Sequence, residues 1–358
     1  MISPATSLPA EPSASLQTEG LFTSPSSGVE IRAIPLPAPG PDEVRIRTAW
    51  SYISAGTELN AVNGCLAGKA DFAAPRRLGY SLAGVVEEVG SRVEGIAVGS
   101  RVAAIGEGAY HGREAIVAKN LVCPVPDGVP LREACCMAMF CFALEGFRKA
   151  AIEFGENVVV LGGGLMGQLV GRFCVGAGAT TFLVDGNAHR LAFAHPLLRP
   201  LAAGEGCWEE VAAGTAPHRL DAAFVCFGGD ATQPVRAAIA AMQTGPDNVA
   251  QGRIVFCGGA EVTLRMASAS GNVRFLSSAK AGPGYRDAAF EHGADYTRGY
   301  VKWTVRRNME ALLAALERSI LTAADLITHE FPFEEAERAY QLLRQSNPEA
   351  MAVVLKYE

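Results

Sequence analysis

The chain has 358 residues, of which 49% are apolar and 19% are charged, and its formal net charge is −6. This length favours two domains, and the acidic balance disfavours nucleic acid as a partner. The longest apolar run, residues 134–144, is too short to span a bilayer, and no basic segment followed by an apolar one opens the sequence, so we expect a cytoplasmic protein without a membrane partner.

The nine cysteines include no C-x-x-C pair. We expect most of them to be small buried hydrophobes in a reducing compartment. The adjacent Cys135 and Cys136 are predicted to lie in the core for the same reason.

Short strands dominate the first part of the chain. Residues 1–20 are rich in Ser, Pro and Ala and lack periodicity, which predicts a disordered tail. Residues 21–138 contain strand-like segments such as 44–48 and 84–89, separated by turn residues. This pattern predicts a small β-rich domain.

Helices alternate with buried strands over residues 139–285. The predicted helices include 140–152 and 233–242. The predicted strands are 158–161, 181–184, 222–226, 253–257 and 273–277. Such alternation is typical of an α/β fold with a doubly wound parallel sheet, here a Rossmann domain that binds a dinucleotide.

The last part of the chain, residues 286–358, begins with an irregular segment. Two helices are predicted at 308–320 and 333–344, and two strands at 327–331 and 352–356. We expect these elements to return to the first domain and complete it.

A glycine-rich turn follows the first strand of the parallel sheet. Gly162, Gly164 and Gly167 have the G-x-G-x-x-G spacing and lead directly into a helical pattern. The first allows a tight turn, the second lets a pyrophosphate approach the backbone, and the third lets helix and strand pack closely. Unpaired N–H groups at the start of the helix would face the phosphates. The alternative is a glycine-rich turn that binds nothing.

Asp185 ends the next predicted strand, where a carboxylate suits a hydrogen bond to a ribose 2′-hydroxyl. It favours NAD over NADP because a carboxylate repels a 2′-phosphate, and Arg190 weakens this preference slightly. Loops after the third and fourth strands also lie at the ligand edge of such a sheet. The predicted cofactor-binding residues are Gly162, Gly163, Gly164, Leu165, Met166, Gly167, Asp185, Arg190, Cys226, Phe227, Gly228, Cys257, Gly258 and Gly259.

Three further segments carry a family resemblance. They are GVVEEVGSRVEGIAVGSRV at residues 84–102, CPVPDGVPLREA at 123–134 and HEFPFEEAERAYQLL at 329–343. With the glycine motif, they resemble the medium-chain dehydrogenase/reductase superfamily over roughly residue 29 to the end. The resemblance implies a chaperonin-10 (GroES)-like catalytic domain at 21–138 and 286–358, a Rossmann domain at 139–285, and an active site in the cleft between them.

The chain departs from the zinc-dependent members of that superfamily at the metal ligands. Ala55, Tyr80 and Met137 stand where the resemblance places the ligands of a catalytic zinc ion. These side chains cannot replace a thiolate–imidazole set. Residues 101–119 also lack the cysteines of a structural zinc lobe. We therefore predict no metal.

Two segments, WSYISAGTEL at 50–59 and LGYSLAGVV at 78–86, look most like a zinc-less group. That group contains the dehydrogenase of the bacteriochlorophyllide hydroxyethyl side chain. GPGYRD at 282–287 and GYVKWTVRRNM at 299–309 resemble relatives associated with sugar or cyclitol modification.

Hydrogen-bonding side chains must handle the substrate oxygen if no metal does. Thr57 occupies the position of the family's hydroxyl relay, or it caps a turn. Tyr80 donates to a carbonyl oxygen or accepts an alcohol proton, or it is a wall residue. Glu58 orients Tyr80, pairs with an arginine, or is structural. His111 is a candidate general acid or base, or an ordinary surface or core residue.

A set of basic and aromatic residues offers a way to recognise an anionic or sugar-like substrate. Solvated surface charge is the alternative interpretation of the same residues. The set comprises Arg76, Arg77, Trp303, Arg306 and Arg307.

Three functions remain open at this point. The first is an NAD-dependent, zinc-independent alcohol dehydrogenase or ketone reductase that acts on a secondary carbinol of a polyol, cyclitol or similar small molecule. The second is an NAD(P)H-dependent reductase of a quinone or enone double bond. The third is a non-catalytic dinucleotide-binding protein. Relatives of this kind are often homodimers or homotetramers, which we expect here.

Overall fold

The computed structural model describes residues 16–358, except residues 268, 346 and 348. Most of the predicted tail lies outside these residues. At its C-terminal end the prediction was wrong, because strand β1 (Gln17–Ser24) already begins at Gln17. Its backbone pairs along its whole length with β2 (Gly28–Pro35), so tertiary pairing outweighs the strand-poor composition.

The remaining elements of the first domain are short strands and two helices. They are β3 (Glu43–Ile53), α1 (Ala55–Leu66), β4 (Ser81–Val89), β5 (Arg101–Ile105), β6 (Glu114–Ala118), β7 (Val122–Pro124) and α2 (Leu131–Ala134). The long strand β3 pairs with both β4 and β6. This arrangement confirms the predicted β-rich domain.

The second domain begins with helix α3 and then alternates strands with helices. Its elements are α3 (Met137–Ala150), β8 (Asn157–Leu161), α4 (Leu165–Gly176), β9 (Thr180–Asp185), α5 (Ala188–Leu191), β10 (Arg199–Ala202), α6 (Cys207–Thr215), β11 (Ala222–Val225), β12 (Gly229–Asp230), α7 (Thr232–Ala241), β13 (Gln251–Phe256), β14 (Ala260–Glu261) and β15 (Asn272–Ser277). The main sheet is parallel with strand order β10-β9-β8-β11-β13-β15. This is the doubly wound Rossmann order and confirms the predicted sheet.

The β-branched run of β8 explains why this strand lies at the centre. All five of its residues are buried. Val158 and Val160 pack into the core on one face of the sheet, and Val159 and Leu161 pack on the other. A strand covered by helices on both faces has this nearly continuous apolar sequence.

The last part of the chain returns to the first domain, as predicted. Its elements are α8 (Ala288–Glu291), α9 (Val305–Glu317), β16 (Ile327–Pro332), α10 (Ala336–Arg344) and β17 (Ala352–Lys356). Strand β17 pairs antiparallel with β3 and parallel with β16. None of the described helices combines the length and apolar character needed to cross a bilayer.

A buried serine joins the two domains next to the predicted site. Ser81, the first residue of β4, has no exposed surface. Its hydroxyl donates to the Cys135 carbonyl (2.6 Å) and accepts from the Ala138 amide (3.0 Å). These bonds attach the strand that follows Tyr80 to the start of α3.

Replacing this serine tests its role in the junction. Ser81→Ala leaves two buried main-chain groups without this partner, and we expect a loss of about 1–3 kcal/mol in the free energy of unfolding. The measurement is chemical unfolding of the variant beside Ser91→Ala, a change at an exposed position. Equal midpoints for the two variants would show that the serine does not stabilise the junction.

Candidate active site

Two glycines in the turn between β8 and α4 cannot be replaced by a residue with a Cβ without backbone strain or a steric clash. Gly162 has φ +102°, in the left-handed region. A Cβ on Gly167 would lie 1.8 Å from the Gly162 carbonyl oxygen. Gly164 instead faces open space, because a Cβ added there would have no neighbouring heavy atom within 4 Å. The turn therefore combines a tight bend, close helix–strand packing and an accessible backbone.

Asp185 holds this turn from the end of β9. One carboxylate oxygen accepts from the Gly163 amide (2.6 Å), and the other accepts from the Asn187 amide (2.7 Å). The Arg190 guanidinium lies 3.7 Å from the same carboxylate. The predicted ribose-binding acid thus also stabilises the glycine loop.

Gln168 is a supporting residue that the sequence analysis missed. It is completely buried, and its amide donates to the carbonyls of Gly163 (3.1 Å) and Arg190 (2.8 Å). It therefore joins the glycine loop to the segment after β9. The signal in the sequence that could have indicated this role is a polar residue on the apolar face of helix α4.

A cavity of about 580 Å³, here called cavity A, opens at the carboxyl edge of the parallel sheet. Four predicted cofactor residues line it: Gly162, Asp185, Arg190 and Phe227. The others belong to the loop and first turn of α4 or to the loops after β11 and β13. Lining residues that the sequence analysis missed are Leu161, Val184, Gly186, Ala203, Gly204, Cys207, Trp208, Gln233, Pro234 and Ala237.

These features fit a dinucleotide. Gly164, the N-cap residue of α4, provides no side-chain cap, so the first-turn amides of the helix remain available to a phosphate. Cavity A lies beside that turn and has the Asp185 carboxylate in its wall. The close approach of Gly162 and Gly167 sets the distance between the strand and the helix that present these groups.

Tyr80 lies between the first domain and α3, and its ring packs edge-on against Phe142, with ring centroids 6.1 Å apart. Its hydroxyl donates to the Ser54 hydroxyl (2.5 Å). Burial raises the pKa of Tyr80, while the hydroxyls of Ser54 and Thr57 oppose this rise. Thr57 is exposed in the first turn of α1. The structure thus brings Tyr80 and Thr57 together and adds Ser54, which the sequence analysis missed.

Glu58 and His111 lie in the core rather than at the surface of the site. Their side chains are 4% and 0% exposed, and His111 Nε2 lies 3.0 Å from a Glu58 oxygen. The Tyr340 hydroxyl donates to the same oxygen, and the Ser54 amide donates to the other (2.8 Å). Among the residues that the structure describes, neither expected partner of Glu58, the Tyr80 hydroxyl or an arginine, binds it directly.

His111 completes a buried chain of polar groups. Its Nδ1 lies 2.7 Å from the Ser51 hydroxyl, which is 2.9 Å from the Tyr357 hydroxyl. A neutral imidazole that donates from Nε2 to Glu58 can accept from Ser51 at Nδ1. These partners favour the structural role for His111 over that of a general acid or base.

The positions that replace the zinc ligands are also occupied by structural side chains. Ala55 opens α1, and Met137, the first residue of α3, is completely buried. Across residues 16–358, leaving aside 268, 346 and 348, no three His, Cys, Asp or Glu side chains converge as a metal-binding group. Zinc independence remains a prediction.

The basic and aromatic residues considered for substrate recognition make structural contacts. Arg76 and Arg77 stack on the rings of Phe72 and Tyr110. Arg306 pairs with Glu310 (3.1 Å), and Arg307 donates to the carbonyls of Val301 and Lys302. The Trp303 ring packs against Arg148, whose guanidinium carbon lies 3.4 Å from the ring centroid. These contacts favour the alternative of ordinary structural and surface charge.

A second cavity of about 530 Å³, cavity B, is lined by residues of α3 and of the segment after β15. Its lining includes Tyr285, whose ring packs edge-on against Phe142 with centroids 5.8 Å apart. Phe142 in turn contacts Tyr80. The full lining is Glu145, Lys149, Ser277, Ala279, Lys280, Gly282, Pro283, Gly284, Tyr285, Arg286, Asp287 and Tyr296.

Comparison with known proteins identifies the first domain. Residues 40–139 match the alcohol dehydrogenase GroES-like domain. The chain is 27% identical over 188 residues to 2-dehydro-3-deoxy-L-galactonate 5-dehydrogenase of Pseudoalteromonas atlantica, covering 45% of this chain and 54% of the relative. It is 28% identical over 204 residues to L-threonine 3-dehydrogenase of Xanthomonas campestris, covering 48% and 58%. The matched region thus spans little more than half the length of these relatives.

Solved structures share the whole fold. A short chain alcohol dehydrogenase from Escherichia coli CFT073, solved with NADH, superposes with a TM-score of 0.72 at 17% identity, covering 96% of this chain and 100% of that one. Together with the domain match, this confirms the predicted combination of a GroES-like domain and a Rossmann-like sheet. The comparisons thus show the fold, whereas membership of the medium-chain dehydrogenase/reductase superfamily and of its zinc-less group remains a prediction.

The close packing at Gly167 can be tested with a matched pair of variants. Gly167→Ala forces α4 away from β8, so we expect at least a tenfold loss of dinucleotide affinity and a loss of stability of about 1–3 kcal/mol. Gly176→Ala is the control, because its Cβ would meet open space at the other end of the same helix. Calorimetric titration measures the dinucleotide affinity of each variant, and chemical unfolding measures its stability. Unchanged affinity in Gly167→Ala would separate the turn from nucleotide binding.

Proposed function

We propose that this chain, which shares its fold with the medium-chain dehydrogenases/reductases, is an NAD-dependent, zinc-independent alcohol dehydrogenase or ketone reductase. It interconverts a secondary alcohol and a ketone on a polyol, cyclitol, sugar-like or other specialised small molecule. The observation that carries the proposal is the Tyr80 phenol at a zinc-ligand position, bonded to Ser54 and adjacent to Thr57.

The glycine turn and cavity A are the proposed cofactor site. The amides at the start of α4 would hold the pyrophosphate, and Asp185 would hold the adenosine ribose. The Asp185 carboxylate favours NAD over NADP, since it repels a 2′-phosphate. When bound, the nicotinamide nucleotide exchanges a hydride with the carbinol carbon.

Tyr80 is the proposed proton donor to the ketone oxygen. Because burial raises its pKa, the phenol is protonated at neutral pH and can donate. For this step the phenolic O–H turns from Ser54 to the ketone oxygen; the Ser54 and Thr57 hydroxyls then donate to the phenolate that remains, and solvent water returns a proton to it. In alcohol oxidation the same groups act in reverse. The exposed Thr57 hydroxyl is a second hydrogen-bond donor to the substrate oxygen.

Glu58 acts on this site through Ser54 and is a positioning residue. Its carboxylate accepts the Ser54 amide, and the Ser54 hydroxyl accepts from Tyr80. His111 and Tyr340 hold Glu58 in turn. This chain of contacts fixes the orientation of the phenol without placing Glu58 against the substrate.

The role of Tyr80 is tested by removing its hydroxyl. Tyr80→Phe should lower turnover about 100-fold or more while dinucleotide affinity stays nearly constant, because general acid–base groups contribute on this scale. Tyr300→Phe, at a residue that is 91% exposed, is the control. Turnover is followed at the nicotinamide absorbance band with panels of alcohols, ketones and enones. Full turnover in Tyr80→Phe, or reduction of enones alone, contradicts the proposal.

The pH dependence follows from the direction of the Tyr80 pKa shift. Ketone reduction needs the protonated phenol, so its rate should be flat at neutral pH and fall only above the ordinary tyrosine value of about 10. Tyr80→Phe should lack this alkaline limb. A wild-type rate that declines near pH 7 would assign the proton to another group.

Metal content tests the zinc-free part of the proposal independently. Protein purified without chelators should contain far less than one zinc ion per chain by mass spectrometry and should keep its turnover after dialysis against EDTA. The reason is that Ala55, Tyr80 and Met137 offer neither thiolate nor imidazole. Activity that is lost on chelation and restored by zinc would overturn the Tyr80 mechanism.

A further inference from the structure

We propose that cavity B binds the anionic end of the substrate and that Arg286, assisted by Lys280, is the residue that recognises it. The ligand chemistry is an oxyanion, either a carboxylate or a phosphate monoester, on the molecule whose carbinol reacts. This inference rests on the proposed function and names the substrate class of the same site.

The charged groups around cavity B are not equally available. Lys149 donates to the Ser277 carbonyl (2.7 Å). Asp287 caps α8 by accepting from the Ala289 amide (3.1 Å), and it also accepts the Tyr296 hydroxyl. Lys149 and Asp287 therefore already have hydrogen-bond partners within the protein.

Arg286 and Lys280 are different. Both are exposed in the cavity lining. Within the described part of the chain, neither cationic head group has a hydrogen-bond or ion-pair partner. The Arg286 guanidinium carbon lies 5.9 Å from the centre of the Tyr285 ring. Among the described residues, these two positive groups of the lining thus have no directly bonded counter-ion.

Glu145 is the remaining acid of the lining. It is half-buried on α3, and burial raises its pKa. The nearby positive charges of Lys149 and Arg148 act in the opposite direction. The lining therefore carries three cationic side chains, Lys149, Lys280 and Arg286, against the two carboxyl groups of Glu145 and Asp287.

The backbone of Arg286 is held in an unusual conformation. Its φ is +64°, a region that residues with a Cβ rarely adopt. Its amide donates to a Glu291 carboxylate oxygen (2.8 Å), and the cap at Asp287 begins α8 directly after it. Non-glycine residues in this region concentrate at ligand sites, where the surrounding structure enforces the conformation.

Cavity B is close to the proposed proton donor. Tyr285 in its wall packs on Phe142, and Phe142 packs on Tyr80. The positive charge of Arg286 also lowers the pKa of the Tyr80 phenol, against the effect of burial. In this proposal a small hydroxy acid or sugar phosphate places its carbinol at Tyr80 and its anion at Arg286. The guanidinium suits this task because its fork of N–H donors matches two oxygens of a carboxylate or phosphate.

The kinetic test uses matched substrates. Short alditols, the corresponding aldonates and alditol phosphates are compared by kcat/KM with NAD⁺ for wild type, Arg286→Met and Lys280→Met. We expect an anionic member to be preferred, and Arg286→Met to lower the anion-to-alditol ratio of kcat/KM about 10- to 100-fold, mainly through KM. Arg318→Met, at an exposed position outside the cavity, should keep the ratio.

A second readout does not depend on turnover. Phenylglyoxal modifies exposed arginines, and peptide mass spectrometry measures its yield at Arg286. Aldonate or phosphate ester should protect Arg286 while the alditol should not, and the protecting member shows which oxyanion is recognised. Such protection without any turnover would support the anion site and reject the proposed function. Turnover of alditols with an unchanged ratio in Arg286→Met, or equal protection by alditol and aldonate, would overturn the anion site.

Discussion

Glu58 places a carboxylate in the core of the first domain, and the geometry of the candidate active site depends on how that carboxylate is held. Its donors come from distant parts of the chain: Ser54 before α1, His111 after β5, and Tyr340 on α10. A buried carboxylate without such partners would be strongly unfavourable. The Ser54 amide donates to Glu58, and the Ser54 hydroxyl accepts from Tyr80. The buried polar groups and the candidate active site therefore belong to one hydrogen-bond network.

The local geometry of the nucleotide domain could be predicted from sequence because it depends on short-range sterics. A Cβ at Gly167 has no space whatever the rest of the chain does, so the glycine spacing carries information by itself. The buried apolar run of β8 could be predicted from the sequence in the same way. Strand β10 was missed because it is a short edge strand that contains Pro200, and edge strands tolerate such residues.

The polar network and the cavity walls could not be predicted in this way. His111 is 53 residues from Glu58 and Tyr340 is 282 residues from it, so no spacing in the sequence announces their contacts. The same holds for Trp208 of α6 in cavity A and for Arg286 before α8 in cavity B, because no local spacing shows that their helices begin beside these cavities. The arginines that drew attention in the sequence instead make structural contacts, because clustering along the chain does not show which side chains remain available.

The central claim is that a nicotinamide nucleotide and protein hydroxyl groups perform the chemistry without a metal ion. A crystal structure of the protein grown with NAD⁺, with diffraction data collected at the zinc absorption edge, tests this most directly. We expect the pyrophosphate at the Gly162–Gly167 turn, the nicotinamide ring facing the Tyr80 hydroxyl, and no anomalous peak between the domains. A zinc peak beside Tyr80, or a nicotinamide ring directed away from it, would show that the Tyr80 hydroxyl does not perform this chemistry.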